Sequence, residues 1–229
     1  IRKNALSENM MDTLMDAIAS SSEDKSIKVI IIAANGNVFS SGHDLKELTL
    51  ARDYEDDGNS YFMKLFDVCS LLMQSIVDCP KPVIAEVNGV ATAAGCQLVA
   101  SCDLAISSDN SKFATPGVNL GLFCSTPMVA LSRNVSKKDA MKMLLTGDMV
   151  DAKEAKNISL INEHVSEDEL SQTVMKLAQK IANKSSMTIR TGKKAFYEQI
   201  EMNLSDAYKY TSRVMAKNML KKDAKEGIN

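Results

Sequence analysis

The chain has 229 residues, 45% of them apolar and 24% charged, with a formal net charge of −2. That length suits one large domain, or one domain with a small appendage. The near-neutral charge and the lack of a Lys/Arg cluster argue against nucleic acid as the main partner, and no apolar run approaches the roughly 18 residues needed to insert into a membrane.

Periodicity predicts the elements in order. Ser7 reads as a helix N-cap, with Met11, Leu14, Met15 and Ile18 recurring behind it at helical spacing. An apolar strand over residues 28–34 leads into the loop Val38-Phe39-Ser40-Ser41-Gly42-His43-Asp44-Leu45-Lys46-Glu47-Leu48. The acidic stretch 53–57 reads as a mobile surface loop, followed by a helix near 62–77. A β-branched strand over 83–88 opens through a Gly/Ala turn into an apolar helix over 94–101, and a further strand follows at 104–107. Strand–helix alternation of this kind predicts α/β crossovers. After Lys137 the pattern is almost wholly helical, with helices over 138–145, 152–158, 167–183, 191–199 and 204–220. We therefore expect an α/β core over 1–135 and a helical region over 136–229.

The turn Ala93-Ala94-Gly95-Cys96-Gln97-Leu98 carries the most chemistry. Small residues let a backbone approach a ligand closely, and the first N–H groups of a helix have no intrahelical partner. Such a turn can hold a developing oxyanion. It can equally be a packing turn between strand and helix, and the segment alone does not decide. Cys69, Cys79, Cys96, Cys102 and Cys124 are odd in number and lack Cys-x-x-Cys spacing, which predicts free thiols in a reducing compartment. His43 and His164 are the only histidines and have no Cys/His cluster around them, so no metal site is expected.

Taken together, Ser41-Gly42-His43-Asp44-Leu45-Lys46 and Pro82-Val83-Ile84-Ala85-Glu86-Val87-Asn88-Gly89 with the Gly-rich helix start resemble the crotonase (enoyl-CoA hydratase/isomerase) superfamily. The likeness continues through Ser101-Cys102-Asp103-Leu104-Ala105-Ile106, Phe113-Ala114-Thr115-Pro116, Gly121-Leu122, Leu144-Leu145-Thr146-Gly147-Asp148 and Asp151-Ala152-Lys153-Glu154-Ala155, essentially the whole chain. It implies an α/β fold, a spiral of β-β-α units followed by a helical C-terminal trimerisation region. It also implies strands before Ile1 and a final helix after Asn229. The ligand would be an acyl-CoA thioester, as substrate or ligand, with no other cofactor. The assembly would be a homotrimer or a dimer of trimers, in the mitochondrial matrix if the source is eukaryotic and the cytoplasm if bacterial.

By position, the resemblance assigns the two oxyanion-binding backbone N–H groups to His43 and Ala94. The imidazole is not required for that role, although it can reach a substrate or titrate near neutrality. Ser41, Gly42, Asp44, Leu45, Lys46 and Gly95 fall at substrate contacts, with a basic residue for the nucleotide at Arg2 or Lys3. Phe123, Cys124 and Ser125 border the acyl pocket. The departures are Gln97 and Gly117, where the hydratases carry their two glutamates. An amide does not accept a proton at neutral pH and glycine has no side chain, so both acid–base roles would be empty. Glu86 is a weak replacement, since its strand position points elsewhere. Cys124 as a nucleophile, or Asn119 as an orienting group, stands beside a plain packing or turn role. Three readings follow: an acyl-CoA binder with weak or no hydratase activity; an acyl-CoA enzyme of another type, such as a decarboxylase, isomerase or thioesterase; or a non-catalytic structural subunit.

Overall fold

The computed structural model describes residues 3–228. The first half runs α1 (Glu8–Glu23), β1 (Ile30–Ala33), β2 (Val38–Ser40), α2 (Leu45–Ala51), α3 (Asn59–Asp78), β3 (Val83–Val87), β4 (Val90–Thr92), α4 (Ala94–Ser101), β5 (Leu104–Ser108) and β6 (Lys112–Ala114). A 3-10 turn, Pro116–Leu120, then leads to α5 (Pro127–Asn134), α6 (Lys137–Thr146), β7 (Val150–Asp151), α7 (Ala152–Asn157), β8 (Glu163–Val165), α8 (Glu167–Ala182), α9 (Ser186–Gln199), α10 (Leu204–Met219) and α11 (Lys222–Ile228).

From β1 to β6 successive strands alternate between two sheets, of order β1-β3-β5-β8 and β2-β4-β6-β7, and β7 then joins β6 before β8 returns to the first sheet. Every pairing is parallel except β6–β7. Each β-β-α turn thus adds one strand to each sheet, which is the α/β spiral with C-terminal helices expected from the sequence. The first sheet is covered on both faces, so β3 reads as the near-continuous apolar run typical of buried parallel strands. One face meets the core of Met11, Leu65, Leu72, Ile76 and Phe113; on the other, Ile84 and Ile106 pack against Leu170, Val174 and Ala178 of α8. Glu86, the one carboxylate in β3, turns outward to accept from Ser171 Oγ of α8 at 2.5 Å.

The Ser7 cap holds as expected, its hydroxyl accepting from Met10 N at 3.2 Å. The region after Lys137 is less purely helical than the sequence pattern suggested. Two- and three-residue strands, β7 and β8, complete the two sheets there. Strands this short show no period of two and exist through pairing alone. At 20 residues, α3 is long and apolar enough by composition to cross a membrane, but it carries Lys64 and Asp67 and presents Leu65, Cys69, Leu72, Met73 and Ile76 to the core. That inward stripe at three- and four-residue spacing is the pattern of an amphipathic core helix.

A buried polar clamp ties α9 to this core. Lys193 Nζ donates to Asp103 Oδ2 at 2.7 Å, Ile76 O at 2.9 Å and Lys81 O at 3.0 Å. Asp103 also accepts from Val83 N at 2.7 Å and Tyr197 Oη at 2.9 Å. Burial first, and the Asp103 charge second, push the Tyr197 phenol well above its ordinary range, so it stays a donor. All three ammonium donors are therefore satisfied, at the meeting point of α3, β3, α4 and α9. Truncation by Lys193→Ala leaves a buried carboxylate and two carbonyls short of a partner. It is expected to cost about 3 kcal/mol, read as a lower urea midpoint at unchanged slope.

A second tight point joins the sheets to α4. A Cβ on Gly95 would lie 2.4 Å from Ser40 O and 2.8 Å from Ser40 Cβ. Backbone must move to admit even a methyl group. Gly95→Ala is expected to destabilise by about 2–3 kcal/mol, in contrast to the small gain that Gly→Ala gives in an unconstrained helix. Thermal unfolding of the single variant measures it.

Candidate active site

Two loops meet at the head of α4. The first leaves β2 at Ser40. Ser41 N donates to Lys3 O at 3.2 Å and Leu6 N donates to Gly42 O at 2.8 Å, so the N-terminal segment runs alongside it. Gly42 takes φ +85°, a left-handed conformation that favours glycine. A Cβ there would sit 2.9 Å from Ala93 Cβ and 3.3 Å from Ala94 N, which measures how closely the two loops approach. Asp44 is buried and caps α2, accepting from Lys46 N at 2.9 Å. Leu45 and Lys46, the next two residues, face solvent.

The second loop is strained. Ala93 adopts φ 51°, ψ −120°, which an L-residue keeps only where its surroundings enforce it. Here Ala93 N donates to Ala114 O at 2.9 Å, and Ala93 O accepts from Gln97 N at 3.0 Å. The kink aims the start of α4 toward Gly42. Among the described residues, nothing accepts from the backbone N–H of His43 or Ala94. An unpaired helix-start N–H beside a second free N–H presents partial positive charge without any charged side chain.

Gln97 lies one turn into α4 and is 4% exposed. Its Oε1 faces Cys69 Sγ of α3 at 3.8 Å. One turn away on α3, Phe66 stacks edge-on against the His43 imidazole, with centroids 5.5 Å apart and planes at 73°. The same helix face thus holds both Gln97 and His43. The ring is fixed at its other nitrogen, with Nδ1 lying 3.3 Å from Leu6 O. A carbonyl only accepts, so Nδ1 carries the hydrogen and Nε2 a lone pair. Burial pushes the His43 pKa below its usual 6.5, outweighing the opposing bond to Leu6, and the ring is neutral at pH 7. Nε2 is buried with no partner among the described residues.

The third stretch follows β6. Thr115 is fully buried, and its Oγ1 has no partner among the described residues. Gly117 N donates to Cys124 Sγ at 3.3 Å. A Cβ on Gly117 would lie 2.8 Å from that sulfur and 2.9 Å from Leu122 O, so the thiol fills the direction a side chain would take. Burial raises the Cys124 pKa, more than the Gly117 N–H lowers it. Cys96 on α4 is pushed up to about 12 by burial and, second, by the Cys124 charge, so these two thiols are neighbours. Neither has the lowered pKa of a nucleophile. Phe123 and Ser125 are exposed, and Ser125 Oγ is committed to Phe123 O at 3.3 Å.

Of the residues singled out in the sequence, Gly42, His43, Ala94, Gly95 and Gln97 come together around the head of α4. Gly117 and Cys124 pack on each other beside it, while Lys46 and Phe123 sit at exposed margins. Lys3 lies against the Ser41 backbone; Arg2 lies outside the described residues. Phe66, Cys69 and Thr115 went unnoticed as site residues, because nothing local in their sequence separates a wall residue from any other core position. Cavities of about 240 Å³ between α6 and α7 and about 360 Å³ between α9 and α10 border none of these loops.

Comparison with known proteins gives the chain its relatives. The family model described as enoyl-CoA hydratase/isomerase matches residues 2–229. The chain is 50% identical over 227 residues to enoyl-CoA hydratase domain-containing protein 3, mitochondrial, of Xenopus laevis, spanning 99% of this chain and 76% of that protein. The human protein of the same name is also 50% identical, over 99% of this chain and 73% of its own length. The crystal structure of human enoyl-CoA hydratase domain-containing protein 3 superposes with a TM-score of 0.93 at 49% identity, covering 99% of this chain and 88% of that one. An enoyl-CoA hydratase structure from Mycobacterium smegmatis superposes with a TM-score of 0.94 at 44% identity, covering 99% and 86%. With α/β spiral, paired loops and sequence in agreement, the chain belongs to the enoyl-CoA hydratase/isomerase (crotonase) family, in the branch of enoyl-CoA hydratase domain-containing protein 3.

Proposed function

We propose that this protein binds acyl-CoA thioesters of fatty acid and lipid metabolism and hydrates enoyl-CoA weakly or not at all. The observation that carries the reading is the meeting of the Gly42 loop with the strained head of α4, which leaves the His43 and Ala94 N–H groups without partners among the described residues. Two such donors aimed at a thioester oxygen would stabilise negative charge there, each contributing on the order of 3 kcal/mol. Exposed Lys46 at the start of α2 suits the nucleotide phosphates as a point charge. The mitochondrial naming of the relatives supports a mitochondrial location if the source is eukaryotic.

Loss of hydration is the finer part of the proposal. At the position that the family likeness equates with the first glutamate, Gln97 offers an amide facing a thiol. At the second, Gly117 is closed over by Cys124 Sγ. Removing two acid–base groups, each contributing roughly 10²–10⁴-fold, leaves the oxyanion donors with nothing to activate water. Assembly as a homotrimer or dimer of trimers is supported by the exposed apolar side chains of Phe196, Ile200, Leu204, Tyr208, Met215, Met219 and Leu220 along α9 and α10. A row of this kind is more apolar than an ordinary solvated helix face.

Calorimetric titration with CoA, acetyl-CoA and a medium-chain enoyl-CoA is expected to show binding, with mass spectrometry after overnight incubation returning the ligand unchanged. A gain of water at ordinary hydratase rates, or no binding to any of the three, overturns the proposal. Loss of carbon dioxide or a cut thioester would name another acyl-CoA reaction instead. Gln97→Glu alone is expected to leave crotonyl-CoA hydration near its starting level, because position 117 stays empty; a spectrophotometric assay at the enoyl absorbance reads it. Sedimentation velocity is expected to give a species at least three times the chain mass, and a monomer at micromolar concentration would rule out the trimer.

A further inference from the structure

The His43 imidazole is fixed more thoroughly than a spacer side chain needs to be. Leu6 O holds its Nδ1–H, Phe66 holds its face, and its Nε2 is left buried with no partner among the described residues. A buried acceptor with nothing donating to it is destabilising, and native proteins keep such groups where a ligand or water completes them. Its backbone N–H belongs to the loop that meets the head of α4, and its ring shares the α3 wall with Gln97. We infer that His43 is a ligand-contacting side chain, whose Nε2 accepts a hydrogen bond from an N–H or O–H donor of the bound CoA thioester. This rests on the acyl-CoA reading above. The donor is a pantetheine amide N–H, common to every CoA thioester, or a hydroxyl on the acyl chain, carried only by a hydroxyacyl thioester.

Neutrality of the ring is what makes this contact possible, since a protonated imidazole has no lone pair to offer. The depressed pKa supports it: the acceptor is present above the folded pKa and is lost as pH falls through that value, below about 6.5. The titratable groups on the packed elements include Lys3 of the N-terminal segment, Asp44 in the same loop, Lys46 and Glu47 of α2 with Tyr61 of α3 donating to Glu47 at 3.3 Å, Asp67 and Cys69 of α3, and the Glu8–Lys64 pair between α1 and α3 at 2.7 Å. From α4 the neighbour is Gln97, which is neutral. Burial, then the Glu47 charge, push the Tyr61 phenol up to about 12, so it remains a donor across the working range. Among these groups imidazole is the one whose class titrates between pH 5 and 8. The second histidine, His164, lies on β8 with Asp109, away from these loops.

The test compares wild type, His43→Leu and His43→Gln by calorimetry with acetyl-CoA and 3-hydroxybutyryl-CoA at pH 7.5 and 5.5. All three keep the backbone N–H, and Gln keeps an acceptor at a similar reach. His43→Leu is expected to weaken binding about tenfold at pH 7.5, the size of one hydrogen bond, with His43→Gln within about threefold of wild type. Wild-type affinity is expected to fall as pH drops through the His43 pKa, and that of His43→Leu to change less. Loss for both ligands identifies the amide, and loss for the hydroxyacyl ligand alone identifies the hydroxyl. Wild-type binding matched by His43→Leu at both pH values overturns the inference while leaving acyl-CoA binding intact; no wild-type binding overturns both. If His43→Leu does not fold, 15N NMR of the wild type decides. With only two histidine rings to assign, the His43 Nε2 signal is expected to move from a free to a hydrogen-bonded acceptor on adding acetyl-CoA or 3-hydroxybutyryl-CoA, and an unmoved signal with both bound overturns the inference.

Discussion

The rest of the molecule depends on one contact between backbones: α4 lies so close to β2 that Gly95 has no room for a methyl group above Ser40. The second sheet, through β4 and the strained Ala93, delivers the helix start at that spot, and the loop after β2 then folds back until Gly42 touches Ala93. Close packing transmits displacement instead of absorbing it, so a shift of α4 would carry both free N–H groups with it. The parallel sheets above and below are the rigid frame that makes such a tight approach sustainable. The clamp of Lys193 on Asp103 extends the frame to the C-terminal helices, since Asp103 sits just past the end of α4.

The site is unusual in what surrounds these donors. Beside the loop carboxylate Asp44, its side chains are mostly neutral: an amide, a neutral imidazole, buried thiols and the Thr115 hydroxyl. Under the proposed reading, such surroundings supply hydrogen-bonding geometry for a polar ligand. The branch assignment fits this picture without dictating it, since family folds host several chemistries and the site itself decides among them.

Much of this was legible in the residues. Long elements such as α1, α3, α8 and β3 follow from periodicity and from the Ser7 cap, and the head of α4 falls at the expected residue. Lost to a single sequence were the three-residue strands β2, β4 and β6 and the still shorter β7. Their identity lies in what they pair with, and a stretch such as Val90–Thr92 has no period to detect. The pairing of the Gly42 loop with the α4 turn came from resemblance, because the two stretches are about fifty residues apart and nothing local joins them. Cys124 could be seen only as a buried thiol or a doubtful nucleophile. That it packs on Gly117 is a fact of tertiary structure, as is the stacking of His43 on Phe66.

The sulfur of Cys124 also sets what position 117 can hold. Any side chain added there meets the thiol and the Leu122 carbonyl, whatever its chemical merit. A larger residue at 117 therefore needs Cys124 to shrink or swing away, so the two positions are coupled under substitution.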